Sequence, residues 1–190
     1  ALQGVRPVNL VFFNGKAVPP DVTMHTGWSG AVEVTDEDAF TEGTNSIKWT
    51  TGSGWDGVDF DLATPRNMMM NWSTDSVQFK IKAPAGLGDL TLSFYDVDED
   101  AEATLESDWA FQAPYVITEA EYGWDGTWKE IKIPLADFNR FNGVWSNELN
   151  QMVPGEFDST RVEKFFITGA GQEFAGMTVY IDDIWTGNPE

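Results

Sequence analysis

Apolar residues recur at every second position through much of this chain, and this period most constrains its fold. The alternation runs through SIKWT (46–50), VQFKIK (77–82), LTLSFY (90–95), EIKI (130–133) and MTVYI (177–181). Because neighbouring side chains of a strand point to opposite faces, the pattern predicts half-buried antiparallel strands. Further strand candidates are VNLVFF (8–13), AVEV (31–34), VDFDL (58–62), WAFQAPYVI (109–117) and KFFIT (164–168). No long amphipathic helix is indicated, although PLADFNRF (134–141) fits one short turn opened by Pro134.

Glycine- and proline-rich turn signals separate these strands. They stand at 19–20, 51–54, 83–86, 142–143, 154–155 and 169–171. About ten short strands divided by such turns predict an all-β protein, an antiparallel β-sandwich of the jelly-roll kind. No change of composition divides the 190 residues, so we expect a single domain over 1–190, with long loops at 96–108 and 142–155.

A strong excess of acidic residues restricts the partners of the chain. It has 31 Asp and Glu against 11 Lys and Arg, a net charge of −20, which repels nucleic acids, anionic membrane surfaces and anionic polysaccharides.

No apolar run approaches the roughly 20 residues of a membrane span, so we expect no membrane insertion. The absence of cysteine excludes disulfides and zinc–thiolate sites. The chain starts at Ala1 without a signal-like segment, and we expect a mature form or an excised part.

Tryptophan is abundant and stands in glycine-rich turns: GWDG occurs at 54–57 and 123–126, and GWSG at 27–30. A flat indole matches the axial C–H face of a pyranose by dispersion, and nearby polar side chains bind the hydroxyls on its rim. We expect a sugar platform among Trp28, Trp55, Trp109, Trp124 and Trp145. In the alternative, the indole folds back over a sheet edge and the glycines serve only the turn. Trp49 and Trp185, on alternating strands, are predicted core residues.

Two adjacent carboxylates interrupt an apolar strand near the C-terminus. In YIDDIW (180–185), Asp182 and Asp183 need a cation or hydrogen-bond donors, because burying a bare carboxylate is very costly. Lys and Arg are scarce and calcium prefers oxygen ligands, so calcium is the favoured partner. The alternative places both acids in water at a strand end. The acidic stretch DVDED (96–100) lacks the glycine of a calcium loop at its sixth position and is predicted to be a solvated loop.

Residue patterns for catalysis are weak. The Glu-x-Asp-x-Glu strand of jelly-roll glycosidases is absent, and the nearest matches, VDFDL (58–62) and FYDVDED (94–100), do not fit it. His25, the only histidine, has no serine-triad context. TGSGWDG (51–57) lacks the GK[ST] ending and the following helix of a phosphate-binding loop.

Several short motifs together resemble a known group of proteins. They are FFNG (12–15), FTEGTNSIKW (40–49), GWDGVDFDL (54–62), WKEIKIPLADF (128–138) and VYIDDI (179–184). In this order they resemble the jelly-roll carbohydrate-binding modules of families four, eleven, twenty-two and thirty. The resemblance runs from about 8 to 186 and implies a galactose-binding-like β-sandwich. The segments 96–122 and 139–160 fall outside any motif that we can name.

The resemblance also implies a structural calcium at one edge of the sandwich, away from the sugar site. The implied ligands are the carbonyl oxygens of Phe12 and Asn45 and the side chains of Asn14, Glu42 and Asp182. Asn14 departs from the pattern, which usually has glutamate at this position. The departure removes one charge from the implied site.

The sugar site implied by the resemblance is a groove on the concave sheet. Trp55 and Trp109 would form its floor and Tyr95 or Tyr115 its rim, while Asp56 and Gln112 would bind hydroxyls. Trp124 is a further candidate, although it stands just before WKEIKIPL and could instead pack on the end of the sandwich.

These observations predict a non-catalytic carbohydrate-binding module for a neutral plant-cell-wall β-glycan: β-glucan including cellulose, xyloglucan, mannan or xylan, with glucans first. We expect a secreted, extracellular monomer that concentrates a glycoside hydrolase, on the same chain or in the same complex, on polysaccharide. One alternative is a jelly-roll glycoside hydrolase or polysaccharide lyase. Another is a cell-surface adhesion or assembly domain, in which the Trp residues make protein contacts.

Overall fold

The period-two segments pair into two antiparallel sheets that face one another. The structure, a computed structural model, describes residues 8–27, 29–40, 43–96, 111–146, 149–169 and 171–188. No helix within these ranges is long and apolar enough to cross a membrane. Trp28, Glu42 and Trp109 lie outside the described residues.

Sheet A is built from β1 (Val8–Phe13), β3 (Ala31–Thr35), β4 (Ser46–Thr50), β6 (Ser76–Lys82), β9 (Trp128–Pro134) and β13 (Thr178–Gly187). Its order is β3-β4-β13-β6-β9, and β1 also pairs with β13. Sheet B is built from β2 (Val22–Thr26), β5 (Gly57–Arg66), β7 (Leu90–Asp96), β8 (Gln112–Ile117) and β12 (Val162–Thr168). Its order is β2-β5-β12-β7-β8. The remaining elements are α1 (Glu119–Tyr122), a 3₁₀ turn (Leu135–Asp137), and the paired strands β10 (Val144–Ser146) and β11 (Gln151–Val153).

Apolar side chains of the two sheets meet in a core rich in aromatic rings. Phe94 and Phe165, which pair across β7 and β12, have ring centroids 4.8 Å apart, and Phe12 of sheet A lies 5.2 Å from Phe165. Burial of each such ring contributes about 2 kcal/mol or more, so this contact holds the sheets face to face. Trp49 is fully buried and Trp185 is 4% exposed, which confirms both as interior residues.

The same alternation directs every second residue of sheet B away from the core, onto what we call the outer face. Cross-strand pairing aligns its residues in three rows. The first row is Thr23, Asp61, Lys164, Tyr95 and Gln112; the second is His25, Asp59, Phe166, Ser93 and Pro114; the third is Gly57, Thr168, Thr91 and Val116. Polar, charged and aromatic side chains thus lie side by side on this face.

The predicted β-sandwich is confirmed, and most of its strands lie where the alternation places them. Pro134 opens the 3₁₀ turn at Leu135–Asp137, as expected. Two parts differ from the sequence-based expectation: β2 is an additional strand, and the expected loop at 142–155 contains the β10–β11 pair. The expected solvated loop after Asp96 lies outside the described residues.

A break in the ladder along β13 positions the two adjacent acids. Residues 178–181 of β13 pair with β4, while residues 184–187 pair with β1. Between these stretches the pairing with β6 also shifts, and Asp183 takes a left-handed backbone conformation with φ of 50°. Asp182 and Asp183 therefore lie where one neighbouring strand ends and the next begins.

Candidate functional site

Two aromatic rings lie next to each other on the outer face of sheet B. Phe166 of β12 and Tyr95 of β7 occupy adjacent rows, with ring centroids 6.3 Å apart and planes inclined by 59°. Both are partly exposed. Burial, and secondarily the charge of Asp59, raise the pKa of Tyr95 to about 12, so its hydroxyl stays protonated and can donate a hydrogen bond.

A glycine on the neighbouring strand makes room for the Phe166 ring. A Cβ atom on Gly57 would lie 2.6 Å from Cε2 of Phe166, closer than non-bonded carbons approach. Gly57 ends the first GWDG motif and opens β5, so one of the motif's glycines lets this ring lie flat on the sheet. Sequence analysis does not identify Phe166, although its signal is present: KFFIT puts two Phe on consecutive strand positions, and one must face outward.

Trp55 stands at the end of sheet B, beside the third row, and its side chain is 67% exposed. The hydroxyl of Thr168 lies 3.4 Å from the Trp55 carbonyl oxygen and donates to the Asp56 carbonyl oxygen at 2.9 Å, which fixes the turn. A Cβ atom on Gly171 would lie 2.9 Å from Cζ2 of Trp55, so the indole rests against bare backbone. Its position agrees with the predicted platform.

Asp56, expected to bind ligand hydroxyls, faces the interior instead, which corrects its expected position. The residue is fully buried, and its Oδ2 accepts hydrogen bonds from the Trp49 indole at 3.0 Å and the Gly52 backbone N–H at 2.9 Å. The carboxylate faces inward because these donors would otherwise be buried without an acceptor. Asp56 anchors the turn that presents Trp55.

Trp124 and Tyr115, two further expected sugar contacts, pack against other parts of the protein. Trp124 is 3% exposed, stacks on Tyr122 with planes inclined by 7°, and donates its indole N–H to the Gly88 carbonyl at 2.8 Å. Tyr115 pairs with the core residue Leu92, so it lies on the opposite face of sheet B from Tyr95. The second GWDG motif thus follows the alternative in which the indole closes a sheet edge.

Gln112 does lie on the outer face, directly across from Tyr95 in the first row. It is partly exposed, so its amide can reach a ligand lying on the Tyr95 ring. Trp109, the other expected floor residue, lies outside the described residues, as does Trp28 of the GWSG motif.

Four charged side chains form a network beside the aromatic pair. The ring nitrogen Nε2 of His25 lies 2.7 Å from Asp61 Oδ2, and Nδ1 lies 2.9 Å from the Thr26 carbonyl oxygen. Lys164 Nζ lies 3.4 Å from Asp61 Oδ1 and 3.7 Å from Asp59 Oδ2. The same ammonium group lies 5.8 Å from the centre of the Tyr95 ring, which joins the network to the aromatic pair.

This network shifts the protonation of two of its members. Burial alone would lower the pKa of His25, but its hydrogen bonds to Thr26 and Asp61 and the charges of Asp59 and Asp61 outweigh burial and raise the pKa. Burial raises the pKa of Asp59 despite the opposing charges of Lys164 and His25. Sequence analysis does not identify the network, because its members come from three strands that are distant in the chain.

The expected metal ligands converge only in part. Asp182 is 1% exposed; its Oδ2 accepts from the Phe40 N–H, while Oδ1 has no hydrogen-bond partner among the described residues. Burial raises the pKa of Asp182, and this effect outweighs the backbone hydrogen bonds from Phe40 and Asp183, which oppose it. A Cβ atom on Gly15 would lie 3.5 Å from this Oδ1, which places the FFNG turn beside it.

The neighbouring turns complete this region. The Gly15 carbonyl oxygen accepts the backbone N–H groups of Thr44 and Asn45, so residues 43–45 pack against the FFNG turn that lies beside Asp182. Asn14 Oδ1 instead accepts from the N–H groups of Lys16 and Ala17, within its own turn. Across the described ranges, no three His, Cys, Asp or Glu side chains form a group that could hold a metal, and Glu42 lies outside them.

Asp183 has a partner that sequence analysis does not foresee. Its Oδ2 accepts a hydrogen bond from Lys80 Nζ at 2.6 Å, and both side chains are largely buried, at 15% and 10% exposed. The alternative of two acids in water at a strand end is therefore wrong. Lys80 neutralises Asp183, whereas Asp182 Oδ1 has no hydrogen-bond partner in the part of the chain that the structure describes.

Comparisons with known proteins agree with this architecture. The family model described as Carbohydrate binding domain 30 matches residues 13–188. No curated protein matches this chain in sequence.

Solved structures with the same fold include three carbohydrate-binding modules. The family 30 module of the cellulosomal cellulase Cel9D-Cel44B of Clostridium thermocellum is 17% identical, with a TM-score of 0.62 over 95% of this chain and 98% of that one. A family 11 module of the same organism, in complex with a β-1,3-1,4-mixed-linked tetrasaccharide, is 16% identical, with a TM-score of 0.62 over 98% of both chains. The CBM22-1 xylan-binding domain of Paenibacillus barcinonensis Xyn10C is 14% identical, with a TM-score of 0.53 over 98% of this chain and 99% of that one.

Proposed function

Since this chain belongs to the family Carbohydrate binding domain 30, we propose that it binds a neutral plant-cell-wall β-glycan on the outer face of sheet B. The chain is a non-catalytic carbohydrate-binding module with a β-sandwich fold. The polysaccharide class and the residues that contact it are our proposal.

The observation that carries this proposal is the placement of Trp55 and Phe166. Trp55 is 67% exposed at the end of sheet B, and Phe166 lies on the outer face two positions before Thr168, whose hydroxyl approaches the Trp55 carbonyl. Flat rings at the end and in the middle of one face suit successive sugar units of a polymer. Tyr95 and Gln112, one row further along, supply hydroxyl and amide groups for the sugar rims.

The class of glycan follows from charge and from the fold neighbours. With a net charge of −20, the chain favours a neutral polymer over an acidic one. One neighbour is described in complex with a mixed-linked β-1,3-1,4 tetrasaccharide, another as a module of a cellulase and a third as a xylan-binding domain. We place β-glucans first, followed by xyloglucan, mannan and xylan.

Affinity electrophoresis tests this proposal directly. Gels that contain mixed-linkage β-glucan, xyloglucan, mannan or xylan should retard the parent chain, and Trp55→Ala should migrate as in a gel without polysaccharide. The matched control is Phe141→Ala, because Phe141 is 73% exposed but lies in a turn, near Met69 and Trp72, and on none of the strands that form the outer face. Equal retardation of the parent and Trp55→Ala would remove Trp55 from the site. Release of reducing sugar by the parent would instead favour an enzyme.

We also propose a structural calcium at the break in the β13 ladder. Asp182 Oδ1 supports it, because this buried carboxylate oxygen has no hydrogen-bond partner among the described residues and requires a donor or a cation. The backbone carbonyls of Phe12 and Asn45 and the side chains of Asn14, Glu42 and Asp182 would hold the ion. Bound calcium would tie the FFNG and TEGTN turns to β13 by charge.

The biological setting is a further part of the proposal. The family 30 neighbour belongs to a cellulosomal cellulase, which supports an extracellular setting and a glycoside hydrolase partner for this chain. We propose that the module acts as a monomer and concentrates such an enzyme on polysaccharide. Size-exclusion chromatography coupled to light scattering, with and without β-glucan oligosaccharide, tests the monomeric state.

A further inference from the structure

His25 contacts two oxygen atoms at once, and this geometry suits its doubly protonated form. Nδ1 lies 2.9 Å from the Thr26 carbonyl oxygen and Nε2 lies 2.7 Å from Asp61 Oδ2. Both oxygens are acceptors only, so both ring nitrogens must carry a proton for both contacts to be hydrogen bonds. The arrangement therefore belongs to the imidazolium form, and loss of one proton breaks one of the two contacts.

We propose that protonated His25 is a positioning residue of the glycan site, which holds Asp61 so that the Lys164 ammonium group points to a sugar hydroxyl beside Tyr95 and Phe166. This inference rests on the proposed function, because it concerns the same outer face. It assigns to Lys164 the role of donating a hydrogen bond to a sugar hydroxyl. His25 acts on the ligand only through Asp61 and Lys164.

Lys164 occupies the place that such a donor needs. Its Nζ lies 5.8 Å from the Tyr95 ring centre, and its side chain is 32% exposed, so the side chain borders solvent beside the aromatic pair. Asp59 and Asp61 lie 3.7 and 3.4 Å from Nζ on the opposite side. An ammonium group has three N–H donors, so it can contact both acids and still donate to a hydroxyl.

The charge balance explains why the proton on His25 matters. Among the described residues, the charged groups around His25 are Asp59 and Asp61 of β5, with Lys164 of β12 beyond them. With His25 protonated, two cations face two carboxylates. With His25 neutral, Lys164 alone faces both, so the acids draw its ammonium group towards themselves and away from the ligand. We therefore expect glycan affinity to fall as pH rises through the pKa of His25.

Titration calorimetry with soluble mixed-linkage β-glucan, xyloglucan, mannan and xylan, each between about pH 5.5 and about pH 8.5, tests this inference. For any polysaccharide bound, the parent chain should lose about fivefold or more of its affinity over this range. His25→Gln should bind with a low, nearly constant affinity. Because the α-amino group also titrates in this range and remains in His25→Gln, the variant isolates the imidazole.

Two further measurements separate positioning from a merely structural role. The parent's imidazole Cε1–H resonance, the only one in the chain, should report a higher pKa with saturating polysaccharide than without it, because linkage is reciprocal. Lys164→Met, which keeps the aliphatic stem over Tyr95, should bind about tenfold more weakly and lose the pH dependence.

Each outcome decides between the two proposals. Binding by the parent that does not change with pH, or an imidazole pKa unmoved by polysaccharide, overturns the role of His25 and leaves the proposed function intact. Failure of the parent to bind any of the four polysaccharides at any pH overturns both. The imidazole titration uses only the parent, so the test holds even where a variant does not fold.

Discussion

The indole N–H of Trp49 donates a hydrogen bond to Asp56 Oδ2 at 3.0 Å, in the interior of the protein. Trp49 belongs to β4 of sheet A, whereas Asp56 immediately precedes β5 of sheet B. This bond therefore ties the two sheets together at the turn that carries Trp55. The buried Trp49 indole thus helps to fix the position of the exposed Trp55 indole.

Replacing Asp56 with alanine should destabilise the protein by about 3 kcal/mol, because the buried Trp49 indole and the partly buried Gly52 N–H lose their acceptor. Asp56→Asn keeps one acceptor oxygen and should destabilise the protein less than alanine does. Urea unfolding monitored by circular dichroism measures both. A loss no greater for alanine than for asparagine would contradict the anchoring role.

Phe166→Leu distinguishes stacking from simple apolar contact. Leucine keeps most of the apolar volume but not the flat ring, so glycan affinity should fall about tenfold while stability changes little. Phe166→Tyr keeps the ring and should retain binding. Affinity electrophoresis on β-glucan, paired with thermal unfolding of each variant, makes the comparison. Full retention by Phe166→Leu would exclude Phe166 as a platform.

Trp124→Ala should affect stability rather than recognition. Its side chain is buried against Tyr122 and bonded to the Gly88 carbonyl, so truncation should cost about 3–5 kcal/mol of unfolding free energy. Trp55→Ala, at a side chain 67% exposed, should leave stability nearly unchanged and abolish binding. Thermal unfolding and gel retardation of the two variants should therefore give opposite results.

The difference in stability between Asp182→Asn and the parent should depend on calcium. In chelator, the variant should be at least as stable as the parent, because it removes a buried carboxylate whose Oδ1 has no partner among the described residues. With calcium added, the parent should gain thermal stability by mass action and the variant should not. Calorimetric titration of the chelated parent measures binding directly. An equal response of both proteins to calcium would exclude Asp182 as a ligand.

The pH dependence of stability should carry the signature of His25. Its folded-state pKa is raised, so its contribution is complete below the unfolded pKa of about 6.5 and is lost as pH rises through the folded value. Melting temperatures of the parent should therefore decline over this range relative to those of His25→Gln. Parallel curves for the two proteins would show that the imidazole makes no net contribution.

The sandwich itself follows from local sequence. Alternation in segments such as LTLSFY and MTVYI predicts β7 and β13, because a strand with one buried face must repeat every second residue. β2 is harder to predict: Thr23 and His25 face outward as its period requires, but the strand also ends in the polar Thr26. The β10–β11 pair consists of two three-residue strands, too short for any period to show.

The site depends on contacts that local sequence does not contain. His25, Asp59, Asp61 and Lys164 meet because β2, β5 and β12 are neighbours in sheet B, and that order results from packing of the whole chain. The Phe166 ring fits on the outer face because Gly57, on another strand, leaves space for it. The resemblance likewise assigns a binding role to Asp56, whose side chain the fold buries.

The two GWDG motifs show this division most clearly. Their identical letters determine a tight turn in both places, because glycine accepts the backbone geometry and close approach that such turns need. The burial of each indole depends on the residues that it contacts. Trp124 stacks on the Tyr122 ring, donates to the Gly88 carbonyl and is buried. Trp55 lies against the backbone of Gly171 and stays exposed. Alternation and turns are local properties, so the sequence alone determines them; the burial of a ring depends on neighbours distant in the chain, so only the tertiary structure decides it.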